Sequence, residues 1–180
     1  MPGRHRPEAR GFTLIELAAV LAIAAILVRF AAPDLSRTAS AGALRSQASE
    51  FMSTLRFARS EAVRRGGVVT VCAADASAAA PRCRGSGAVD WRGGWLVFVD
   101  RGTRGALGNG DQLLRVQPPL ALSGGVAGTR GTLSFTAAGY CTDAASRYEF
   151  DPPGSAVAPP LLVCVSKQGR ARLADQGICA

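Results

Sequence analysis

The residues with the clearest chemical potential lie near the C-terminus, in the segment KQGRARL at residues 167–173. If this segment is extended, Arg170 and Arg172 point to the same side about 7 Å apart, close to the spacing of successive phosphates on one nucleic-acid strand. Gly169 would let the backbone approach a ligand, and Lys167 adds a further cation. The segment therefore predicts phosphate binding that is independent of base sequence and strongly salt dependent. The alternative is a surface hairpin with Gly169 in its turn and the arginines in water.

The histidine content excludes most enzymatic chemistry. The chain contains one histidine, His5, in an N-terminal segment that we expect to be removed. The mature chain then has no histidine, so it cannot form a Ser-His-Asp triad, a Cys-His pair or a histidine-ligated metal site. We therefore expect neither an enzyme nor a bound cofactor or metal. The net charge of +8 suits a polyanionic partner, although arginine richness alone is a weak indicator.

The five cysteines include no CxxC pair, which favours disulfides and an oxidising compartment. Cys72 and Cys83 enclose a loop that nothing else would order, so we expect them to pair. Cys164 with Cys179 would tether the C-terminal tail to a strand. Cys141 is then left over, and its pairing with Cys164 or Cys179 stays open because spacing does not fix connectivity.

Two central motifs are better explained by structure than by binding. Asp100, Asn109 and Asp111 could suggest a calcium loop, but the D-x-D-x-D-G core and a closing glutamate are missing, so we predict a glycine-rich hairpin turn. Trp91 and Trp95 are interpreted as core and turn anchors rather than as ligand platforms.

The N-terminal apolar run predicts a membrane helix. From Phe12 to Ala32 the only charged residues are Glu16 and Arg29, and at about 1.5 Å per residue the run spans roughly 30 Å of hydrocarbon. The three arginines before it, by the positive-inside rule, place that end in the cytoplasm and the rest of the chain across the membrane. Glu16 is then an anomaly, because a carboxylate inside a membrane helix is costly and usually marks a functional partner.

Beyond Pro33 the same helix should continue as an amphipathic half. Apolar residues recur at spacings of three and four, which predicts one buried stripe: Leu44, Ala48, Phe51, Leu55, Ala58 and Ala62. Gly66 and Gly67 end the pattern. A set of basic residues lies on other faces of this helix: Arg56, Arg59, Arg64 and Arg65. We interpret that set as a solvated surface that also complements the helix dipole.

Short β-like runs separated by Gly, Pro, Asp and Ser fill the rest of the chain: VVTVCA, GWLVFVD, QLLRVQ, TLSFTAAGY, RYEF and LLVCVS. They predict an antiparallel sheet domain that packs on the helix. The fold class is therefore α+β.

The segment RGFTLIEL resembles the class III signal of type IV prepilins and pseudopilins. This resemblance implies that a prepilin peptidase cuts after Gly11 and methylates the amine of Phe12. It also implies that Glu16 pairs with the N-terminal amine of a neighbouring subunit during assembly, which would offset its desolvation. Pro33 falls where many pilins carry a helix-kinking proline. The fold implied is pilin-like, with a long N-terminal helix packed on antiparallel sheets.

The segments DWRGGWLVFVD and CVSKQGRARL resemble the minor pilin and pseudopilin branch that includes FimT, FimU and GspH. The motif G-R-x-R is similar to the C-terminal DNA-binding signature of FimT-type minor pilins, so the resemblance implies that Arg170 and Arg172 contact phosphates of double-stranded DNA during natural transformation. Lys167 would assist and Gly169 would shape the loop. The alternative is a structural minor pilin, or a type II secretion pseudopilin, that primes or caps filament assembly without binding DNA.

The expected organisation has four parts. Residues 1–11 are a leader that is removed, 12–33 a transmembrane and filament-core helix, 34–66 an amphipathic helix, and 67–180 a β-rich globular domain with a basic tail. The protein would first span the inner membrane once, with its C-terminal domain in the periplasm, and then enter an extracellular filament. Its partners would be the prepilin peptidase, other pilin subunits and double-stranded DNA.

Overall fold

The structure is a computed structural model that describes residues 13–120, 124–143, 145–152, 159–174 and 179, with the backbone alone for residues 28–37. The chain divides into two compact units, Met1–Thr38 and Ala39–Ala180. The predicted cleavage and methylation positions, Gly11 and Phe12, lie outside the described residues.

Helix α1 (Leu14–Arg65) begins with a capping arrangement. The backbone N–H of Glu16 donates to the hydroxyl of Thr13 at 3.3 Å, which satisfies one of the unpaired donors at the helix start. The Glu16 carboxylate in the first turn also complements the positive end of the helix dipole. Large apolar side chains are exposed along this part of the helix: Leu14, Ile15, Leu17, Val20, Leu21, Ile23, Ile26 and Leu27.

The membrane helix predicted for residues 12–33 lies partly outside the described part of the chain. Within the part that is described, no helix combines the length and the apolar character needed to cross a membrane.

The C-terminal end of α1 is where the paired glycines predict it. Gly66 has a φ of +64°, and the N–H of Gly67 donates to the carbonyl of Ala62 at 3.2 Å. This left-handed end satisfies a carbonyl that the helix itself leaves unpaired. Arg64 and Arg65 occupy the last turn, where their charges complement the negative end of the dipole.

Nine strands in the described part of the chain form two antiparallel sheets. The first has the order β4-β3-β1-β6 and the second the order β2-β5-β7-β8-β9. Their bounds are β1 Val69–Ala73, β2 Val89–Asp90, β3 Trp95–Val99, β4 Gln112–Gln117, β5 Gly125–Gly128, β6 Thr132–Phe135, β7 Ser146–Asp151, β8 Leu161–Val165 and β9 Ala171–Ala174. An N-terminal helix packed on antiparallel sheets confirms the predicted α+β, pilin-like class.

The predicted helix stripe forms one side of the core. Each of its members is almost completely buried, and Met52 joins them: Leu44, Ala48, Phe51, Met52, Leu55, Ala58 and Ala62. Phe51 lies at the centre, with its ring 4.9–5.7 Å from four other rings: Trp91, Trp95, Tyr148 and Phe150. Such edge-on and tilted contacts stabilise beyond simple area burial.

Both tryptophans are core anchors. They are fully buried, and each indole N–H has a partner: Trp91 donates to the carbonyl of Arg130 at 2.9 Å and Trp95 to the hydroxyl of Thr54 at 3.2 Å. The burial supports the interpretation of these residues as core rather than ligand platforms.

Disulfides join Cys72 to Cys83 and Cys164 to Cys179, in the arrangement that the sequence analysis expects. Cys141 is a free, buried cysteine, so the structure does not adopt the open alternatives that paired it. Burial raises the pKa of the Cys141 thiol, which keeps it protonated and unreactive.

Candidate nucleic-acid interface

The basic tail segment forms a β-hairpin. Strands β8 and β9 pair with Cys164 opposite Arg172 and Val165 opposite Ala171. The turn between them is closed by two hydrogen bonds, from the N–H of Gly169 to the carbonyl of Ser166 at 2.9 Å and from the N–H of Ser166 to the carbonyl of Arg170 at 3.0 Å. Arg170 therefore belongs to the turn, and Arg172 to the strand that follows.

Gly169 is required by packing inside the protein. Its φ is +72°, and a Cβ placed on it would lie 2.7 Å from the carbonyl oxygen of Gly139 and 3.2 Å from the ring of Phe135. Gly169 is predicted from the sequence to allow close approach by a ligand, whereas here the Gly139 carbonyl and the Phe135 ring occupy the space beside its Cα. The Lys167 carbonyl also accepts a hydrogen bond from the Cys141 N–H at 2.9 Å, which holds the turn in place.

A groove lies between this turn and the outer face of α1. We call it the basic groove, and its cavity volume is about 750 Å³. The described residues that line it are Arg56, Arg59, Ser60, Val63, Arg64, Gly169, Arg170 and Ala171, and none of them is acidic. The guanidinium of Arg59 donates to the carbonyl of Gly169 at 3.5 Å, a long contact that links helix and turn.

The four basic residues on the helix divide into two groups. Arg64 and Arg65 both bind the carboxylate of Glu61, at 2.6 and 2.7 Å, and these hydrogen bonds lower the pKa of Glu61 to about 2. The ion pairs of Arg64 and Arg65 with Glu61 agree with the prediction that these arginines lie on a solvated surface. Arg56 and Arg59 have no such partner on Glu61 and line the groove beside Arg170, with Arg64 at the same wall. The sequence does not predict this groove, because no local pattern links a helix to a segment about a hundred residues later.

Arg172 lines a different concavity from Arg170. It lies in a cleft of about 510 Å³ on the opposite face of the hairpin, together with Arg130 and Arg147. The structure therefore does not place Arg170 and Arg172 side by side in one extended segment. Lys167 is exposed in the turn of the hairpin and lines neither concavity.

Backbone hydrogen bonds to Asp111 organise the loop that carries the three candidate calcium ligands. The carboxylate of Asp111 accepts backbone N–H groups from Arg101 at 2.7 Å, from Gly102 at 3.2 Å and from Gly108 at 2.8 Å. Its oxygens thus close the loop as hydrogen-bond acceptors, as the hairpin-turn interpretation expects. Among the described residues, no group of three or more His, Cys, Asp or Glu side chains could hold a metal ion.

Comparison with protein families gives two matches. Residues 47–172 match the family described as type II transport protein GspH, and residues 6–28 match the prokaryotic N-terminal methylation motif. The first match covers more than half of the chain. The second covers the segment in which the sequence analysis recognised a prepilin signal, and it indicates processing by a prepilin peptidase and assembly with other pilin subunits.

Solved structures of the type IV minor pilin FimU from Pseudomonas aeruginosa strain PAO1 share the fold. In space group P65 the match has a TM-score of 0.52 with 20% identity, over 73% of this chain and 92% of that chain. In space group P21 the TM-score is 0.54 with 20% identity, over 73% and 88% of the two chains. Curated protein sequences give no significant match. The chain belongs to the GspH family, within the branch of type IV minor pilins and pseudopilins, and the predicted resemblance to the FimT, FimU and GspH group is confirmed at that level.

Proposed function

We propose that this minor pilin binds double-stranded DNA through its phosphate backbone, without sequence preference, and serves DNA uptake in natural transformation. One observation carries the proposal: arginines from α1 and from the tail turn line one groove, and none of its described lining residues is acidic. We also propose that, within this family, the protein is most like FimT.

The chemistry of the groove suits a phosphate chain. Guanidinium groups bind phosphate oxygens through paired, charge-assisted hydrogen bonds, and Arg56, Arg59 and Arg170 supply three of them. Lys167 is exposed in the same turn as Arg170 and adds a further positive charge there. Backbone contacts of this kind fix position but carry no base information, so we expect similar affinity for unrelated duplexes.

The test is a mobility-shift titration of the detergent-solubilised full chain with duplex DNA at several salt concentrations. If the groove neutralises about three phosphates, its contacts by themselves should make affinity fall about 40-fold between about 50 and about 200 mM salt. The variant carrying Arg59→Ala and Arg170→Ala should bind more weakly, and the slope of its log affinity against log salt should be lower by about 1.8. Arg101→Ala with Arg104→Ala removes the same charge from an exposed loop and should bind like the wild type.

Equal loss of binding in both double variants would show that net charge alone matters and would overturn the groove assignment. No shift of the wild type at low salt would leave the second candidate function, a structural minor pilin or type II secretion pseudopilin that primes or caps a filament. That candidate is favoured by the match to the type II transport family and by the exposed apolar side chains near the start of α1. In cells, the groove variant should lose DNA uptake but keep its filaments if DNA binding is the function.

We propose the remaining details of maturation on the basis of the methylation motif. Cleavage after Gly11 removes residues 1–11, the amine of Phe12 is methylated, and Glu16 pairs with the amine of a neighbouring subunit. Residues 12–33 act as the membrane and filament-core segment, with the C-terminal domain in the periplasm before assembly. N-terminal sequencing of the mature protein checks this, because a terminus that still contains Arg10 and Gly11 would overturn it.

A further inference from the structure

The cleft on the opposite face of the hairpin has its own basic cluster. Strand register places Arg147 opposite Cys164 on β8, and Cys164 opposite Arg172 on β9. The three residues form a row across the sheet on the face that points away from the core, with the two arginine Cα atoms about 10 Å apart. The sequence spacing between Arg147 and Arg172 does not predict that the two residues lie close together.

Arg130 completes the cluster from the segment after β5. The N–H of Thr129 donates to the carbonyl of Arg147 at 3.0 Å, and the N–H of Arg147 donates to the hydroxyl of Thr129 at the same distance. The carbonyl of Arg130 is fixed by the indole N–H of the buried Trp91 at 2.9 Å. The backbone that carries two of the three arginines is thus held rigidly on the core.

The electrostatics of the cleft favour an anion. No described residue that lines it is acidic, and hydroxyl groups of Ser86, Thr129 and Ser166 border it. The carboxylate of Asp143 lies 3.8 Å from the guanidinium of Arg130, which is too long for a strong charge-assisted hydrogen bond. The Cys164–Cys179 disulfide forms part of the wall.

We propose that the cleft formed by Arg130, Arg147 and Arg172 is a phosphate-binding site, separate from the basic groove. Its ligand is a phosphate oxyanion held by guanidinium groups from three different segments of the chain. The groove and the cleft flank opposite faces of one hairpin, so a DNA backbone that passes over the turn contacts both. The existence of the site does not depend on the proposed function, whereas its use by DNA rests on it.

The first arm of the test uses inorganic pyrophosphate and the full chain in detergent micelles. Amide chemical shifts in a pyrophosphate titration should move around Thr129, Arg147 and Arg172. Arg130→Ala with Arg147→Ala should weaken binding at least about tenfold, since each lost charge-assisted contact is worth more than one factor of ten. Arg130→Lys with Arg147→Lys keeps the charge but loses the planar fork, and should recover only part of the affinity.

The matched control is Arg56→Ala with Arg59→Ala, which removes the same charge from the groove and should leave pyrophosphate binding to the cleft unchanged. Shifts around Thr129 and Arg172 that persist in the cleft variant, or that are no larger than those around the exposed loop residues Arg101 and Arg104, would overturn the site. Shifts at the basic groove follow from the proposed function and do not bear on the cleft. Away from the substituted residues, the amide signals of each variant should match those of the wild type. That match would show that each variant is folded.

The second arm repeats the DNA titration with the cleft variant. Loss of two phosphate contacts should reduce the slope of log affinity against log salt by about 1.8. If wild-type protein binds pyrophosphate but no DNA, the proposed function fails and the cleft stands. If DNA binding persists with an unchanged slope and pyrophosphate does not bind, the cleft assignment fails and the proposed function stands.

Discussion

Replacement of Gly169 by alanine should test how the tail turn is held against the body of the protein. The turn depends on this residue in two ways, through its backbone angle and through its contacts. The φ of +72° is in the left-handed region, and the space beside Cα is filled by the Gly139 carbonyl and the Phe135 ring. Gly169→Ala therefore combines a conformational cost with a steric one.

The conformational cost and the steric cost of Gly169→Ala can each be given a magnitude. A residue with a Cβ in the left-handed region costs about 1–2 kcal/mol. An atom forced into a packed site typically adds about 1–3 kcal/mol, and here the Cβ would lie 2.7 Å from a backbone oxygen that cannot rotate away. The lower entropy of alanine in the unfolded chain returns about 0.4–1 kcal/mol. Gly169→Ala should therefore destabilise the protein by about 1–5 kcal/mol.

Gly66 provides the matched control for the conformational part. Its φ is +64°, similar to that of Gly169, but a Cβ placed on it would have nothing within 4 Å. Gly66→Ala should therefore cost only about 1 kcal/mol. The difference between the two variants measures the contact with Gly139 and Phe135.

The assay is urea unfolding of the full chain in detergent, followed by fluorescence of the buried Trp91 and Trp95. Equal losses of stability in the two alanine variants would refute the packing argument for Gly169. A larger loss in Gly169→Ala should be accompanied by weaker DNA binding, because displacement of the turn separates Arg170 from the helix arginines of the basic groove.

Three further predictions concern the core, the helix end and the free thiol. Phe51→Ala should lower the free energy of unfolding by about 3–5 kcal/mol, because it removes the ring at the centre of the aromatic cluster, and urea unfolding measures this. Glu61 has its pKa lowered to about 2 by Arg64 and Arg65, so its stabilising effect is present above its unfolded pKa near 4.5 and is lost as pH falls through about 2. The stability difference between wild type and Glu61→Gln should accordingly be constant above about pH 5 and vanish toward pH 2; a difference that persists at pH 2 would contradict the pairing. Cys141 should resist iodoacetamide in the native protein and react once in non-reducing denaturant, as mass spectrometry would detect, since burial raises the pKa of its thiol.

Features governed by near neighbours were predictable from the sequence. The buried stripe of α1 and its end at Gly66 depend on spacings of three and four residues and on a glycine stop, so local pattern was sufficient. The Cys72–Cys83 disulfide closes a short loop and was expected for the same reason. Strand β5 was missed because GVAG offers no alternating pattern; its Gly128 is set by Trp91, whose indole leaves no room for a Cβ.

The sequence alone thus determined the class of protein, the N-terminal signal, the helix and the presence of a basic tail. The tertiary structure decided which basic residues act together. It joins Arg59 to Gly169 across 110 positions of the chain and places Arg170 and Arg172 in separate concavities. The physical reason is range: helix periodicity and capping are set within a few residues, whereas a groove or cleft depends on strand register and packing between segments that no local pattern relates.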